Sequence, residues 1–229
     1  MIELQTPPEP TRLTTAEEVF RQLRHDIIDL NLAPGSKISE VEVAKAFSVS
    51  RQPVREAFLR LSALNLLEIR PQRATRVRKI SLNDLRNTRF VRAALEVEVI
   101  RLACQTATAE HLAAIKENLT HQSHAIDALD ARALRTLDYE FHKLICTAAN
   151  RLPAFLIIAE NKAHTDRVCT LELEDTSGMH EVLEGHQLIF EALCDGDEER
   201  AVKAARVHLA HLDDTLAKAA RNYPDFFQD

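Results

Sequence analysis

The amino-acid sequence predicts a mainly α-helical protein in which an N-terminal winged helix-turn-helix domain precedes an all-α helical bundle. Glycine is scarce, with 4 residues among 229, whereas alanine and leucine, which favour helices, are plentiful. Apolar residues recur at helical spacing through most of the chain. The two β-like runs, over residues 66–70 and 75–79, lie close together in the first third of the sequence.

The first domain is predicted over residues 14–80, after a flexible, proline-rich arm over residues 1–13. Three helices are expected here, each beginning at a residue type that caps helix N-termini, and two of these residues have a glutamate at capping-box spacing. The capping residues are Thr15 with Glu18, Ser39 with Glu42, and Ser50. Two short helices joined by a tight turn and followed by a two-stranded ribbon form a winged helix-turn-helix.

The third helix carries the candidate DNA contacts. Its first turn holds Ser50, Arg51, Gln52 and Arg55, on the side away from its apolar residues. A recognition helix enters the major groove with its N-terminus first, where arginine can read guanine and glutamine can read adenine. The hydroxyl of Ser50 can donate to a phosphate.

Basic residues continue from this helix into the ribbon. Residues 51–79 contain eight basic and two acidic residues, a net charge of +6, although the whole chain has a net charge of −6. The ribbon supplies Arg70, Arg73, Arg76 and Arg78, which suit phosphate or minor-groove contacts, and Arg73 and Arg76 are the candidate DNA-binding residues among them. The alternative is that Arg51 and Arg55 form surface ion pairs, for example with Glu40 or Glu56.

Several classes of protein are excluded by the composition. No apolar run approaches the roughly 20 residues that a membrane helix needs, and residues 1–10 lack the apolar region of a signal peptide. The four cysteines stand at least 23 residues apart, which excludes zinc-knuckle and redox motifs. A cytoplasmic protein with no membrane association is therefore expected.

The second domain, residues 81–229, is predicted to be an all-helical bundle with a polar centre. Its helices are expected at about 81–103, 108–128, 130–149, 153–173, 179–194 and 197–221. No alternation typical of strands is present. Six helices of this length can enclose an internal cavity.

One aspartate and three histidines fall on the apolar stripes of three different helices of this bundle. They are Asp138, His142, His186 and His208. Core-facing polar groups need partners, and a divalent transition metal such as Zn, Ni, Mn or Fe could supply one. Asp138 and His142 are four residues apart, which places two ligands on one helix face. The alternative is four groups that are hydrogen-bonded separately.

The run SVSRQPVREA at residues 48–57 closely resembles the signature of the DNA-binding domain of GntR-family bacterial transcriptional regulators. In that family the two arginines of this run contact operator DNA, which implies this role for Arg51 and Arg55. The family often has glycine where Asn65 stands, and also in the wing where Gln72 or Ala74 stands. The chain departs from the family at these points.

Residues 184–212 resemble the end of the FCD ligand-binding domain, which follows this DNA-binding domain in the FadR subfamily. Asp138, His142, His186 and His208 match the metal ligands of the metal-binding members. Arg92 resembles an arginine on the first helix of that domain, where it can pair with an effector carboxylate beside the metal. The alternative for Arg92 is an ion pair with Glu96, four residues further along.

Together these observations predict a regulator that is not an enzyme and that, as is usual in this family, is a repressor. A homodimer would bind palindromic double-stranded operator DNA, and a small carboxylate effector would bind beside the metal. Two alternatives remain from the sequence. One is a helical metalloenzyme fused to a DNA-binding domain, and the other is a metal-free sensor of fatty-acyl ligands.

Overall fold

The structure is a computed structural model that describes residues 13–70, 72–172, 176–210 and 212–228. It is mainly α-helical, as predicted, and it divides into two compact units, the first ending at Lys79 and the second beginning at Ile80. Residues 1–12 of the predicted arm lie outside the described residues.

The first unit contains three helices and a small antiparallel ribbon. The elements are α1 (Thr15–Ile28), α2 (Glu40–Ala46), α3 (Arg51–Ala63), β1 (Leu67–Glu68) and β2 (Arg76–Val77). Leu67 lies opposite Val77 in the ribbon, and an isolated bridge between Lys37 and Arg76 extends it. Apolar residues of all three helices and both strands form one core, in which Phe58 and Leu61 of α3 are fully buried.

The helices of this unit begin where the sequence predicts, at Thr14 or Thr15, after Ser39 and at Ser50, but the capping contacts differ in detail. Thr14, not Thr15, caps α1, and its hydroxyl accepts from the backbone N–H of Glu17 at 3.2 Å. Ser39 caps α2 by accepting from Val41 at 3.2 Å. Ser50 occupies the N-cap position of α3, but its side chain makes no capping hydrogen bond with the described residues. Its hydroxyl is therefore left for another partner.

The second unit is a helical bundle that is closed by a very short sheet. The elements are β3 (Ile80–Ser81), α4 (Leu82–Thr106), α5 (Ala109–Asp127), α6 (Ala131–Ala148), α7 (Leu152–Glu172), α8 (Thr176–Asp195), α9 (Glu198–Ala210), α10 (Leu212–Asn222), a 3-10 turn (Pro224–Phe226) and β4 (Phe227–Gln228). Residue 211, between α9 and α10, lies outside the described residues, as do residues 173–175 between α7 and α8.

The short sheet corrects the expectation that this half lacks strands. Ile80–Ser81 pairs in parallel with Phe227–Gln228. Two residues per strand are too few to produce an alternating pattern in the sequence, so periodicity could not reveal this pairing. The ladder holds the start of α4 against the C-terminal segment, where Ile80, Leu85 and Phe227 share a small apolar core.

The main core of the second unit surrounds a set of buried polar side chains. Apolar residues of all six helices from α4 to α9 form this core, and charged or amide side chains from α4 to α8 are buried in this unit. They are Arg92, Glu96, Asn118, Gln122, Asp138, His142, Lys162, Asp166, Arg167 and His186. Buried charges require close partners, which makes this region the candidate site.

Candidate metal centre and nucleic-acid interface

The aspartate and three histidines singled out from the sequence meet at one point of the bundle. Asp138 and His142 come from α6, His186 from α8 and His208 from α9. Each offers one ligand atom, and these atoms all lie within 4.8 Å of one another. The stacking of His186 on the Phe141 ring, with centroids 3.9 Å apart, fixes the plane of one imidazole.

The nitrogens that face the centre of this cluster fit a metal. His142 Nε2 and His186 Nε2 lie 3.7 and 3.3 Å from Asp138 Oδ1. Both nitrogens are buried and neither forms a hydrogen bond with the described residues. Leaving buried polar atoms unpaired is costly, and nitrogen and carboxylate ligands suit a divalent transition ion. Such an ion would satisfy both nitrogens at once.

The opposite ring nitrogens are occupied by protein groups. His142 Nδ1 lies 2.7 Å from Glu96 Oε2, and His186 Nδ1 lies 2.8 Å from Gln122 Oε1. Metal-ligating histidines characteristically donate their second N–H to a carboxylate, an amide or a carbonyl, which orients the ring. Protein contacts of this kind hold both histidines with their Nε2 atoms toward the centre of the cluster.

Gly185 makes room for the fourth ligand. A Cβ atom built at this buried position would lie 2.7 Å from His208 Nδ1 and 3.2 Å from His208 Cβ. The absence of a side chain at Gly185 therefore lets the imidazole of His208 lie directly against the backbone of α8, immediately before His186.

Burial and neighbouring charges shift the protonation of these groups. Burial lowers the pKa of His186 and of His208, which favours the neutral rings that metals bind. Burial would also lower the pKa of His142, but the carboxylates of Glu96 and Asp138 outweigh it and raise the pKa to about 9. For Asp138, burial is outweighed by the Lys162 ammonium, which holds the pKa well below its usual range.

A second layer of buried ion pairs surrounds the cluster. Lys162 Nζ lies 2.7 Å from Asp138 Oδ2 and 2.6 Å from Asp166 Oδ1. Arg92 Nε donates to Glu96 Oε1 at 2.8 Å, which is the alternative that the sequence offered for Arg92. Because Glu96 also contacts His142, it connects Arg92 to the cluster.

A cavity of about 490 Å³ opens beside the cluster. Its wall includes Asp138 and His208, five basic side chains and two further acidic ones, Asp166 and Glu181. The basic residues are Arg92, Arg135, Lys162, Lys218 and Arg221. The excess of positive charge favours an anionic ligand, and apolar residues such as Leu134 and Val182 could contact its carbon skeleton.

Several side chains of this site were not predicted from the sequence. Helical periodicity could have revealed those on α5 but not those on α7. Gln122 and Asn118 of α5 lie on the same helix face as buried Ile115 and Leu119, so the test that singled out Asp138 would have found them. Lys162 and Asp166 carry no such signal. This part of α7 is buried on several sides, because Ala163 and Arg167 on one side of Lys162 and Thr165 and Val168 on the other are all buried.

The first unit presents basic side chains at the start of α3. Arg51, Gln52 and Arg55 are exposed there, while Val54 is fully buried on the opposite side. Arg51 Nη2 donates to Glu40 Oε2 at 2.9 Å, which is the ion pair considered as an alternative from the sequence, and the Arg51 side chain remains 66% exposed.

Of the four arginines of the ribbon, Arg70, Arg73 and Arg76 are exposed and Arg78 is partly buried. Arg76 Nη1 donates to the carbonyl of Gly35 at 2.7 Å, which anchors its guanidinium group to the loop before α2. Arg73 lies in the bend between β1 and β2.

Comparison with known proteins decides the family. Residues 15–77 match the family described as "Bacterial regulatory proteins, gntR family", and residues 88–211 match the FCD domain. The chain belongs to the GntR family of bacterial transcriptional regulators. GntR regulators bind operator DNA, and the family consists of transcriptional regulators, not enzymes. This finding removes the metalloenzyme alternative.

Full-length relatives agree with this assignment. The chain is 35% identical to the HTH-type transcriptional regulator YdfH of Escherichia coli O6:H1, covering 100% of this chain and 99% of that protein. It is 34% identical to the HTH-type transcriptional repressor RspR of Escherichia coli K12, covering 99% of both. The solved structure of E. coli McbR/YncC has the same fold, with a TM-score of 0.78 at 22% identity over 93% of this chain and 100% of that one.

Among the described residues, no helix combines the length and the apolar character that crossing a bilayer demands.

Proposed function

We propose that this GntR regulator is a repressor whose DNA binding is controlled by a small carboxylate effector bound beside a metal. In this proposal residues 14–80 form the DNA-binding domain and residues 81–229 form the effector domain. The observation that carries the proposal is the meeting of four candidate ligands at the wall of a basic cavity. Two of them have buried Nε2 atoms that form no hydrogen bond with the described residues.

The DNA contacts are proposed for α3 and the ribbon. Arg51, Gln52 and Arg55 would meet base edges in the major groove, and the free hydroxyl of Ser50 would meet a phosphate. Arg73 and Arg76 would contact the backbone or the minor groove. A cytoplasmic homodimer with two-fold symmetry would place two such helices on a palindromic operator.

The effector site is proposed at the cluster and the cavity. Asp138, His142, His186 and His208 would hold a divalent transition metal, namely Zn, Ni, Mn or Fe, and the bound ion would supply a Lewis acid for an effector carboxylate. Arg92 would contribute a guanidinium contact to the same carboxylate. An effector controls DNA binding only if its affinity differs between the two arrangements of the regulator.

Metal analysis of protein purified without a histidine tag tests this proposal. We expect about one ion per chain in the wild type, a large loss in His186→Ala, and no change in His121→Ala, which alters an exposed histidine of α5. The metal-loaded protein should then be stabilised by one class of carboxylic acids in a thermal-shift screen. A metal content below about 0.2 per chain, with stability unchanged by chelator, would favour the metal-free sensor instead.

A further inference from the structure

A buried chain of amides connects His186 to the backbone of α6. His186 Nδ1 lies 2.8 Å from Gln122 Oε1, and Gln122 Nε2 donates to Asn118 Oδ1 at 2.7 Å. Asn118 Nδ2 then donates to the carbonyl of Leu137 at 3.1 Å. His186 and Gln122 are completely buried, and Asn118 is 5% exposed. Both amides belong to α5, which contributes none of the four candidate ligands.

The donor-to-acceptor direction of these hydrogen bonds is fixed at the carbonyl of Leu137. A carbonyl oxygen can only accept a hydrogen bond, so the side-chain NH₂ of Asn118 must face the carbonyl of Leu137. The side-chain oxygen of Asn118 then faces Gln122 and accepts a hydrogen bond from its NH₂ group. The Gln122 oxygen is therefore the atom that faces His186, and it can only accept a hydrogen bond from an N–H of the ring.

We propose that Asn118 and Gln122 are positioning residues that hold His186 as the Nδ1–H tautomer and thereby direct its Nε2 lone pair at the metal. The inference rests on the proposed metal site. A neutral imidazole carries its single proton on one nitrogen or the other, and a ring protonated at Nε2 cannot bind an ion through that atom. Asn118 therefore acts on metal binding through two other side chains.

The whole series of amide hydrogen bonds opposes the Nε2–H tautomer of His186. If Gln122 turned its side-chain NH₂ group toward His186, its oxygen would face the oxygen of Asn118 with no proton between them. If Asn118 turned as well, its oxygen would face the carbonyl of Leu137. Buried acceptors without donors are strongly unfavourable, so the backbone carbonyl of Leu137, acting through the two amides, favours a proton on His186 Nδ1 even though Asp138 Oδ1 lies 3.3 Å from Nε2.

NMR of the histidine ring nitrogens in the metal-free, full-length protein reads the tautomer directly. Near pH 8, where an ordinary imidazole is neutral, we expect His186 in the Nδ1–H form. His111 is an internal reference for the opposite tautomer, because its Nδ1 accepts from the backbone N–H of Thr108 at 3.3 Å.

Two variants test this relay, by which we mean the hydrogen bonds that run from Leu137 through Asn118 and Gln122 to His186. Zn²⁺ alone is the probe of metal affinity. Asn118→Leu frees Gln122 to turn, and Gln122→Met removes the acceptor itself. Each is expected to give a mixture of His186 tautomers and a loss of Zn²⁺ affinity of about 10–100-fold. Thr120→Val is the matched control on α5, since it also removes a donor to a backbone carbonyl, that of Lys116. It should change neither measurement.

The outcomes separate this inference from the metal proposal. An Nε2–H ring at His186 in the wild type overturns the inference. So do an unchanged tautomer and unchanged Zn²⁺ affinity in whichever of the two variants remains folded. If the wild type holds the Nδ1–H tautomer and the variants lose it, but no protein binds Zn²⁺, the relay stands and the metal proposal fails.

Discussion

If Arg51 contacts DNA as proposed, it would exchange one partner for another when the regulator binds. In the structure its guanidinium group is paired with Glu40 at the start of α2. The pair is exposed, and exposed ion pairs contribute only about 0.2–1 kcal/mol. The bidentate contact of an arginine with guanine is worth about 1–3 kcal/mol of discrimination against a wrong base. The proposed exchange would therefore be favourable on the operator.

Arg51→Ala is expected to weaken operator binding by about 1–3 kcal/mol and to relax specificity at one base pair. Glu40→Gln should act in the opposite direction, because it removes both a competitor for Arg51 and a negative charge that repels phosphate. Titrations of operator and random duplexes at one salt concentration measure both effects. An equal loss on the two duplexes for Arg51→Ala would mean that Arg51 contacts phosphate only.

The position of the His208 ring depends on the absence of a side chain at Gly185. Gly185→Ala places a methyl group 2.7 Å from His208 Nδ1, so the ring has to leave the position in which its ligand atom meets the other three. We expect a loss of metal affinity of about 10-fold or more, by analogy with the loss of a supporting contact. Isothermal titration with Zn²⁺ measures it.

Gly178→Ala is the matched control for this substitution. It makes the same change on the same helix, at a position where a Cβ atom would meet nothing within 4 Å. Alanine favours helices over glycine by roughly 0.5–1 kcal/mol, so this variant should be as stable as the wild type or more stable, with unchanged metal affinity. Equal affinities in both variants would contradict the packing argument.

At the level of elements, Asn65 explains one departure from the family. It ends the turn after α3 with φ +57°, a left-handed conformation that favours glycine, and its side-chain oxygen accepts from the guanidinium group of Arg78. Asparagine tolerates this conformation better than most residues. Gln72 in the wing has φ +59°, again at a place where the family often has glycine.

Asn65→Ala is expected to destabilise the first unit by about 1–2 kcal/mol, because alanine in the left-handed region is strained. Asn65→Gly relieves the strain and loses only an exposed hydrogen bond, so it should stay within about 0.5 kcal/mol of the wild type. Hydrogen exchange of the slowest amides of α1 and α3 measures the free energy of opening for this unit alone. Equal protection in both variants would exclude backbone strain as the cause.

Helical periodicity predicted the elements that are amphipathic and failed where burial is not one-sided. The apolar stripe of α6 is enough to place Asp138 and His142 toward the core, and both are buried. Lys162 could not be found in this way, because α7 is buried around much of its circumference. The pairing of β3 with β4 could not be predicted from the sequence either, because it joins residues nearly 150 positions apart and each strand has only two residues.

At the scale of the whole molecule, the proposed metal connects three helices that are far apart in the sequence. The ligands come from α6, α8 and α9, and each ring also contacts a residue of another helix or the backbone beside it. An ion that binds the folded bundle and not the unfolded chain stabilises the bundle by mass action. The first unit has its own core and contains none of these ligands, so the stabilisation should be confined to the second unit.

Removal of the metal is therefore expected to affect the two units unequally. Saturation at about 100 times the dissociation constant corresponds to about 2.7 kcal/mol of stabilisation, which chelator should abolish. Hydrogen exchange with and without chelator should show a loss of protection in α6, α8 and α9, while α1 and α3 stay unchanged. His186→Ala should resemble the chelated wild type and gain nothing from added Zn²⁺. Equal loss of protection in α1 and α3 would contradict independent units, because destabilisation would then have spread beyond the helices that hold the ligands.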